Sequence, residues 1–167
     1  MKKKNYVNNA DLTKAIVDYQ KLCRKNRRNE LAMPTMPRYI GECIYNICNR
    51  LTRGFNFNFE SYTYRDEMIL DAVERCCYAV HKFNHKKSSA GAFAYLTTVA
   101  INAQKKRIKD EQKVNYIKHK FFRSQFTNQE IEGIEPNELS DSVIANYEEK
   151  VAAKKKGLSY NVKPKKA

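Results

Sequence analysis

No apolar run in this chain approaches the roughly 18 residues that a membrane-spanning helix needs, and residues 1–4 are followed by no apolar core of the secretory kind. A cytoplasmic protein with no membrane partner is therefore expected. Tryptophan is absent, and no CxxC occurs. The five cysteines, Cys23, Cys43, Cys48, Cys76 and Cys77, form an odd set, which suits reduced thiols better than a disulfide frame. His81 and His85 follow the adjacent Cys76 and Cys77, but this spacing does not oppose one ligand pair with another, so no metal is expected. A glycine-rich phosphate loop is also missing. The three histidines lie among basic and polar residues, with no nucleophile beside a base. The acids from Glu130 to Asp141 match no calcium loop and read as a solvated face. These absences argue against an enzyme and against a cofactor.

Acid is scarce too: 18 Asp and Glu stand against 32 Lys and Arg, a formal charge of +14. Such an excess suits a polyanionic partner, because cations that neutralise phosphates release condensed counterions. An anionic membrane surface is the competing reading. The 167 residues include 42% hydrophobic ones, with 11 tyrosines and 8 phenylalanines. That is enough for one modest core.

The periodicity is helical throughout, which makes the expected fold class all-α. Leu12, Ala15, Ile16, Tyr19, Leu22 and Cys23 recur at three-and-four spacing, predicting a helix over residues 10–24 capped by Asn8 or Asn9. A basic stretch and a linker holding Pro34 and Pro37 follow. Ile40, Cys43, Ile44, Ile47, Cys48 and Leu51 then form a narrow seam between Pro37 and Gly54. Residues 55–59 alternate apolar and polar, a pattern that fits a short strand but reads better as an aromatic connector. Thr63 to Asp66 fits a capping box, opening a third helix over residues 64–83 with Ile69, Ala72, Val73, Cys76, Ala79, Val80 and Phe83 inward. Ser88 or Ser89 is expected to cap a fourth helix that carries Phe93, Leu96, Val99, Ala100, Ala103 and Ile108 inward.

That helix changes character midway. Residues 105–123 hold eight Lys and Arg against Asp110 and Glu111, whereas residues 127–149 hold seven acids and no Lys or Arg. Leu139, Val143, Tyr147 and Val151 mark a short helix there, and seven lysines lie from Lys150 onward, in a tail expected to be disordered at its end. The expected division is an N-terminal helix and basic linker (1–36), a helical domain (37–123), an acidic segment (124–153) and a Lys-rich tail (154–167). Phe93 and Tyr95 precede Lys105, Lys106, Lys109 and Lys113. Aromatics beside cations suit single strands, whose bases stack for about 1–3 kcal/mol each. Core aromatics with an ordinary solvated lysine face explain the same pattern.

Residues 62–113, taken together, resemble region 2 of sigma factors. The resemblance rests on Glu67, Asp71, Lys82-Phe83-Asn84, Phe93-Ala94-Tyr95-Leu96 and Val99-Ala100-Ile101-Asn102 in order. Residues 5–16, with Phe55-Asn56-Phe57 ahead of Glu67-Met68-Ile69, are similar to the late sigma factors of bacteriophages. This likeness implies a compact region 2-like helical domain acting in the infected bacterial host. Its partners would be the clamp helices of the bacterial core RNA polymerase and an AT-rich late promoter. It implies polymerase contacts at Glu67 and Asp71, joined by Leu70 and Glu74. It also implies DNA contacts at Phe93, Tyr95, Thr98, Asn102, Lys105, Lys106, Lys109 and Lys113, with Tyr95 stacking on an extruded base.

The chain departs from the bacterial factors where Thr98 and Val99 replace a Trp pair, so weaker melting is expected. Phage late factors also engage the polymerase flap or a sliding clamp, with a co-activator, through a hydrophobic-acidic C-terminal motif. Residues 157–162 here carry no acid. Two rivals remain: a basic helical DNA- or RNA-binding regulator without a polymerase partner, and a scaffolding protein whose acidic and basic blocks pair between copies.

Overall fold

Asn8 opens the first helix by accepting from the backbone amides of Ala10 (3.0 Å) and Asp11 (3.5 Å), satisfying two of the orphan donors of a helix start. The computed structural model describes residues 6–53, 63–86, 90–128 and 138–159. Its elements are α1 (Asn9–Arg28), α2 (Arg38–Thr52), α3 (Arg65–Lys82), α4 (Gly91–Asn128) and α5 (Glu138–Ser159). The fold is all-α. No helix among the described residues is long and apolar enough to cross a membrane.

The chain divides into two compact units, Met1–Arg107 and Ile108–Ala167. In the first unit Leu12, Ile16, Tyr19 and Cys23 of α1 are buried in one cluster with Ile40, Cys43, Ile44, Ile47 and Cys48 of α2. Ile69, Ala72, Cys76, Ala79 and Val80 of α3 join the same cluster, as do Ala92, Leu96 and Ala100 of α4. The first helix is therefore part of the core. Leu22, expected inward, is 46% exposed. The basic linker is tied back as well: the Tyr19 hydroxyl donates to Pro34 O (3.2 Å) and Asn26 Nδ2 to Ala32 O (2.9 Å).

Local expectations changed at several helix ends. The capping box at α3 is not formed: Tyr64 occupies the N-cap position with no side-chain cap. Asp66 and Glu67 in the first turn supply the charge that favours a helix start. Pro37 is the N-cap of α2 rather than its first residue, and Arg53 ends that helix. Gly54, the aromatic connector 55–59 and the proposed caps Ser88 and Ser89 lie outside the described residues.

α1 supplies caps to other helices instead. Asn9 Oδ1 accepts from Phe93 N (3.0 Å), Asn9 Nδ2 donates to Ala90 O (3.1 Å), and Thr13 Oγ1 accepts from Ala92 N (3.1 Å). These bonds hold the start of α4, where Gly91 takes φ +79°. At the far end of α3, Gln20 Nε2 donates to Val80 O (2.6 Å) and Phe83 O (2.9 Å). Two helix ends whose backbone groups have no partner within their own helix are thus closed from a third helix.

The inward seam of α4 is Ala92, Leu96, Ala100 and Gln104, with Phe93, Val99 and Ala103 only partly buried. Gln104 is 1% exposed and donates to Cys48 O on α2 (3.2 Å). A periodicity of apolar residues passes over a glutamine in such a seam. Its amide is tolerated because a carbonyl partner removes most of the cost of burial.

The cysteines are all free, four of them buried. A hydrogen bond with Cys48, and then burial, push the Cys76 thiol well above its ordinary range. Burial chiefly raises Cys43 and Cys77. The thiolate is the nucleophile, so at neutral pH these three are expected to alkylate on the order of tenfold or more slowly than a free cysteine. Alkylation timed by mass spectrometry, with and without denaturant, checks this. Because the folded thiols titrate above the unfolded ones, their stabilisation is complete below the unfolded pKa and fades as pH rises beyond about 8.5.

In the second unit, residues later in α4 meet residues earlier in α5, so the two segments run antiparallel. Arg123 pairs with Asp141 (3.0 Å), His119 Nδ1 lies 3.0 Å from Ser140 Oγ, and the rings of Tyr116 and Tyr147 stack at 4.5 Å. The Tyr116 hydroxyl donates to Glu148 (3.0 Å) and accepts from Lys120 Nζ (2.9 Å). That hydroxyl, with Glu148 beyond it, raises the Lys120 pKa. α5 is longer than the short helix expected and extends through Lys154, Lys155 and Lys156. Residues 160–167 lie outside the described residues.

Candidate docking ridge and nucleic-acid face

The burial of Met68, Ile69, Ala72, Cys76, Ala79 and Val80 turns the opposite side of α3 outward. Glu67, Leu70, Glu74 and Tyr78 follow one another there at helical spacing, all exposed, with Leu70 at 63% and Tyr78 at 62%. Two large apolar side chains on the solvent side of a helix, interleaved with acids, form a ridge that an apolar and basic partner surface would complement. Tyr78 belongs to this ridge although sequence reasoning passed over it. Its signal was its spacing of four from Glu74 and eight from Leu70.

Asp71 stands apart from the other three predicted polymerase contacts. It is partly buried and accepts from Arg107 NH1 on α4 (3.3 Å). The pair is 29% and 41% exposed, so its contribution is modest, about 1 kcal/mol or less after solvent screening. Its consequence is positional: the carboxylate of Asp71 bridges α3 and α4.

The predicted nucleic-acid residues divide by exposure. In the first unit Thr98, Asn102, Lys105 and Lys106 of α4 are exposed. In the second, Lys109 and Lys113 are exposed. Phe93 and Tyr95 are partly buried and engaged. Phe93 meets Tyr6 edge-on at 5.8 Å, and Arg50 sits 4.2 Å over the Tyr6 ring. Tyr95 tilts against Phe83 at 5.3 Å while its hydroxyl donates to Ala79 O (3.4 Å). With Gln20, Tyr95 therefore closes the C-terminal carbonyls of α3. A base stacking on Tyr95 would use whatever part of the ring Phe83 leaves open.

Among the described residues, Glu148 and Asp141 of α5 pair with Lys120 and Arg123. Among the described residues no three His, Cys, Asp or Glu side chains gather as metal ligands. Cys76 Sγ instead approaches Leu96 O at 3.6 Å.

No protein-family model matches the chain, and no curated protein matches it.

Proposed function

We propose that the chain is a specificity subunit of the phage late sigma type, docking on bacterial core RNA polymerase through α3 and contacting an AT-rich promoter through α4. The observation that carries this reading is the exposed ridge of Glu67, Leu70, Glu74 and Tyr78. It supports a protein partner, whereas the exposed Asn102, Lys105 and Lys106 support a phosphate-bearing one. On this reading Glu67 and Glu74 meet basic groups of the clamp helices, and Leu70 and Tyr78 bury apolar area between them. Thr98 and Asn102 face base edges, and Lys105, Lys106, Lys109 and Lys113 hold phosphates. The protein acts by positioning and has no catalytic group of its own. A host-cell cytoplasm is its place of action.

Purified chain mixed with core polymerase is expected to co-elute at moderate salt. A Glu67→Lys/Glu74→Lys variant should bind at least tenfold more weakly, about 1.4 kcal/mol. These positions are cleaner than Asp71, whose replacement also removes the ion pair with Arg107. Absence of co-elution, with DNA binding retained, would make the chain a basic helical regulator without a polymerase partner. The engagement of Phe93 and Tyr95 in the core favours that second reading at those two residues.

A further inference from the structure

A strongly cationic surface is built from residues of α1, of α3 and of the turn that follows α3, none of them on α4. The end of α1 and the end of α3 enclose an open cleft of about 530 Å³ lined by Arg24, Arg27, His81, Lys82, His85 and Lys86, among others. A second concavity of about 400 Å³ adjoins it, shares Arg24, and adds Lys21, Lys25 and Arg28. No carboxylate lines either one. Among the described residues Arg24, Arg27, Lys82 and Lys86 have no ion-pair partner. Arg24 Nε reaches only the Gln20 carbonyl (3.2 Å), within its own helix.

Cations near a helix C-terminus commonly serve the helix dipole, at about 0.3–1 kcal/mol each. Arg27 and Lys82 lie in the last turns of α1 and α3, where that role applies; it does not account for Arg24 and Lys86. The terminal carbonyls of α3 already receive hydrogen bonds from Gln20 and Tyr95. Lys86 lies beyond the end of α3, and Arg24 lies a full turn before the end of α1. Lys21 pairs with Asp18 (3.1 Å); the remaining like charges repel one another, and an external polyanion relieves that repulsion.

We propose that Arg24, Arg27, Lys82 and Lys86 form a backbone-binding track for duplex DNA on the first unit. On α1 the cations from Lys21 to Arg28 extend roughly 10 Å along the helix axis, on the order of three phosphates of one strand at about 3.4 Å of axis each. Phe83 is the one large apolar side chain in the lining, and it is 4% exposed. The lining of the two concavities accordingly offers no exposed large apolar side chain to a bilayer, and Leu22, 46% exposed on α1, is not part of it. Repeated phosphates need no such group. The proposal stands independently of the polymerase reading, since the free chain would bind DNA here whether or not it docks on an enzyme.

The test is fluorescence anisotropy of the full chain with a random-sequence duplex over a range of salt concentrations. Arg24→Glu/Arg27→Glu and Lys82→Glu/Lys86→Glu are each expected to weaken binding at least tenfold. Each should also reduce the slope of log affinity against log salt by about two. Arg24→Lys/Arg27→Lys should restore most of the affinity, and helical circular dichroism should be unchanged in all three. Unchanged affinity and slope in both reversal variants would overturn the proposal. So would a loss confined to binding of poly-glutamate or of anionic vesicles. Co-elution with polymerase is read separately, so failure of one proposal is distinguishable from failure of the other.

Discussion

Ile16→Ala is expected to destabilise the first unit by about 2–5 kcal/mol, the usual range when a buried aliphatic side chain is cut to a methyl group. Ile16 is fully buried and shares its cluster with residues of α2, α3 and α4. Truncation therefore removes apolar contact where three other helices limit collapse into the space left. Leu22→Ala on the same helix is the control: its side chain is 46% exposed, and a change within about 0.5 kcal/mol is expected. Urea unfolding followed by circular dichroism distinguishes the two, with a lower midpoint and an unchanged slope for Ile16→Ala. Equal, small effects at both positions would mean that α1 is an appendage to the core formed by the other helices.

Gly91→Ala is expected to cost about 2–3 kcal/mol, from two sources that can be separated. Gly91 has φ +79°, a conformation that costs an L-residue roughly 1–2 kcal/mol. A Cβ there would also lie 2.5 Å from Asn9 Nδ2 and 2.6 Å from Asn9 Oδ1. The Asn9 side chain would have to leave its bonds to Ala90 O and Phe93 N, and losing a cap of this kind costs about 1 kcal/mol. A double-mutant cycle tests the linkage. In an Asn9→Ala background, Gly91→Ala should cost less by about the value of the cap, a coupling on the order of 1 kcal/mol. Strictly additive losses would show that Asn9 does not hold the start of α4.

The exposed ridge on α3 and the cationic track at the ends of α1 and α3 use opposite physical features for different kinds of partner. The ridge combines acids with exposed Leu70 and Tyr78, and burial of such apolar side chains gives a protein interface most of its strength. The track has many cations and one buried aromatic, so its affinity would be mainly ionic and would fall steeply with salt. Co-elution with polymerase at raised salt should accordingly outlast DNA binding by the free chain.

The all-α class and the inner faces of α2 and α3 were legible in the sequence, because a helix repeats every 3.6 residues and its buried stripe is a local pattern. Ile40, Cys43, Ile44, Ile47 and Cys48 are all buried as that pattern required. Glu67, Leu70 and Glu74 were named by the resemblance to sigma factors, and α3 exposes all three. Acidic and basic blocks were equally plain, since charge is a property of each residue alone.

Other features depended on residues far apart in the chain. Asn9 caps a helix that starts 82 positions later, from Asn9 to Gly91, and Gln20 closes one that ends near Phe83. Gln104 is buried because Cys48 O faces it, and Asp71 is drawn from the ridge by Arg107. Tyr95 is held by Ala79 O and Phe83, which no stretch of α4 by itself discloses. The sequence determined which residues repeat at helical spacing and where charge accumulates. Only the tertiary structure decided which polar groups find partners, because a hydrogen bond depends on two groups within about 3 Å in space and is indifferent to their separation along the chain.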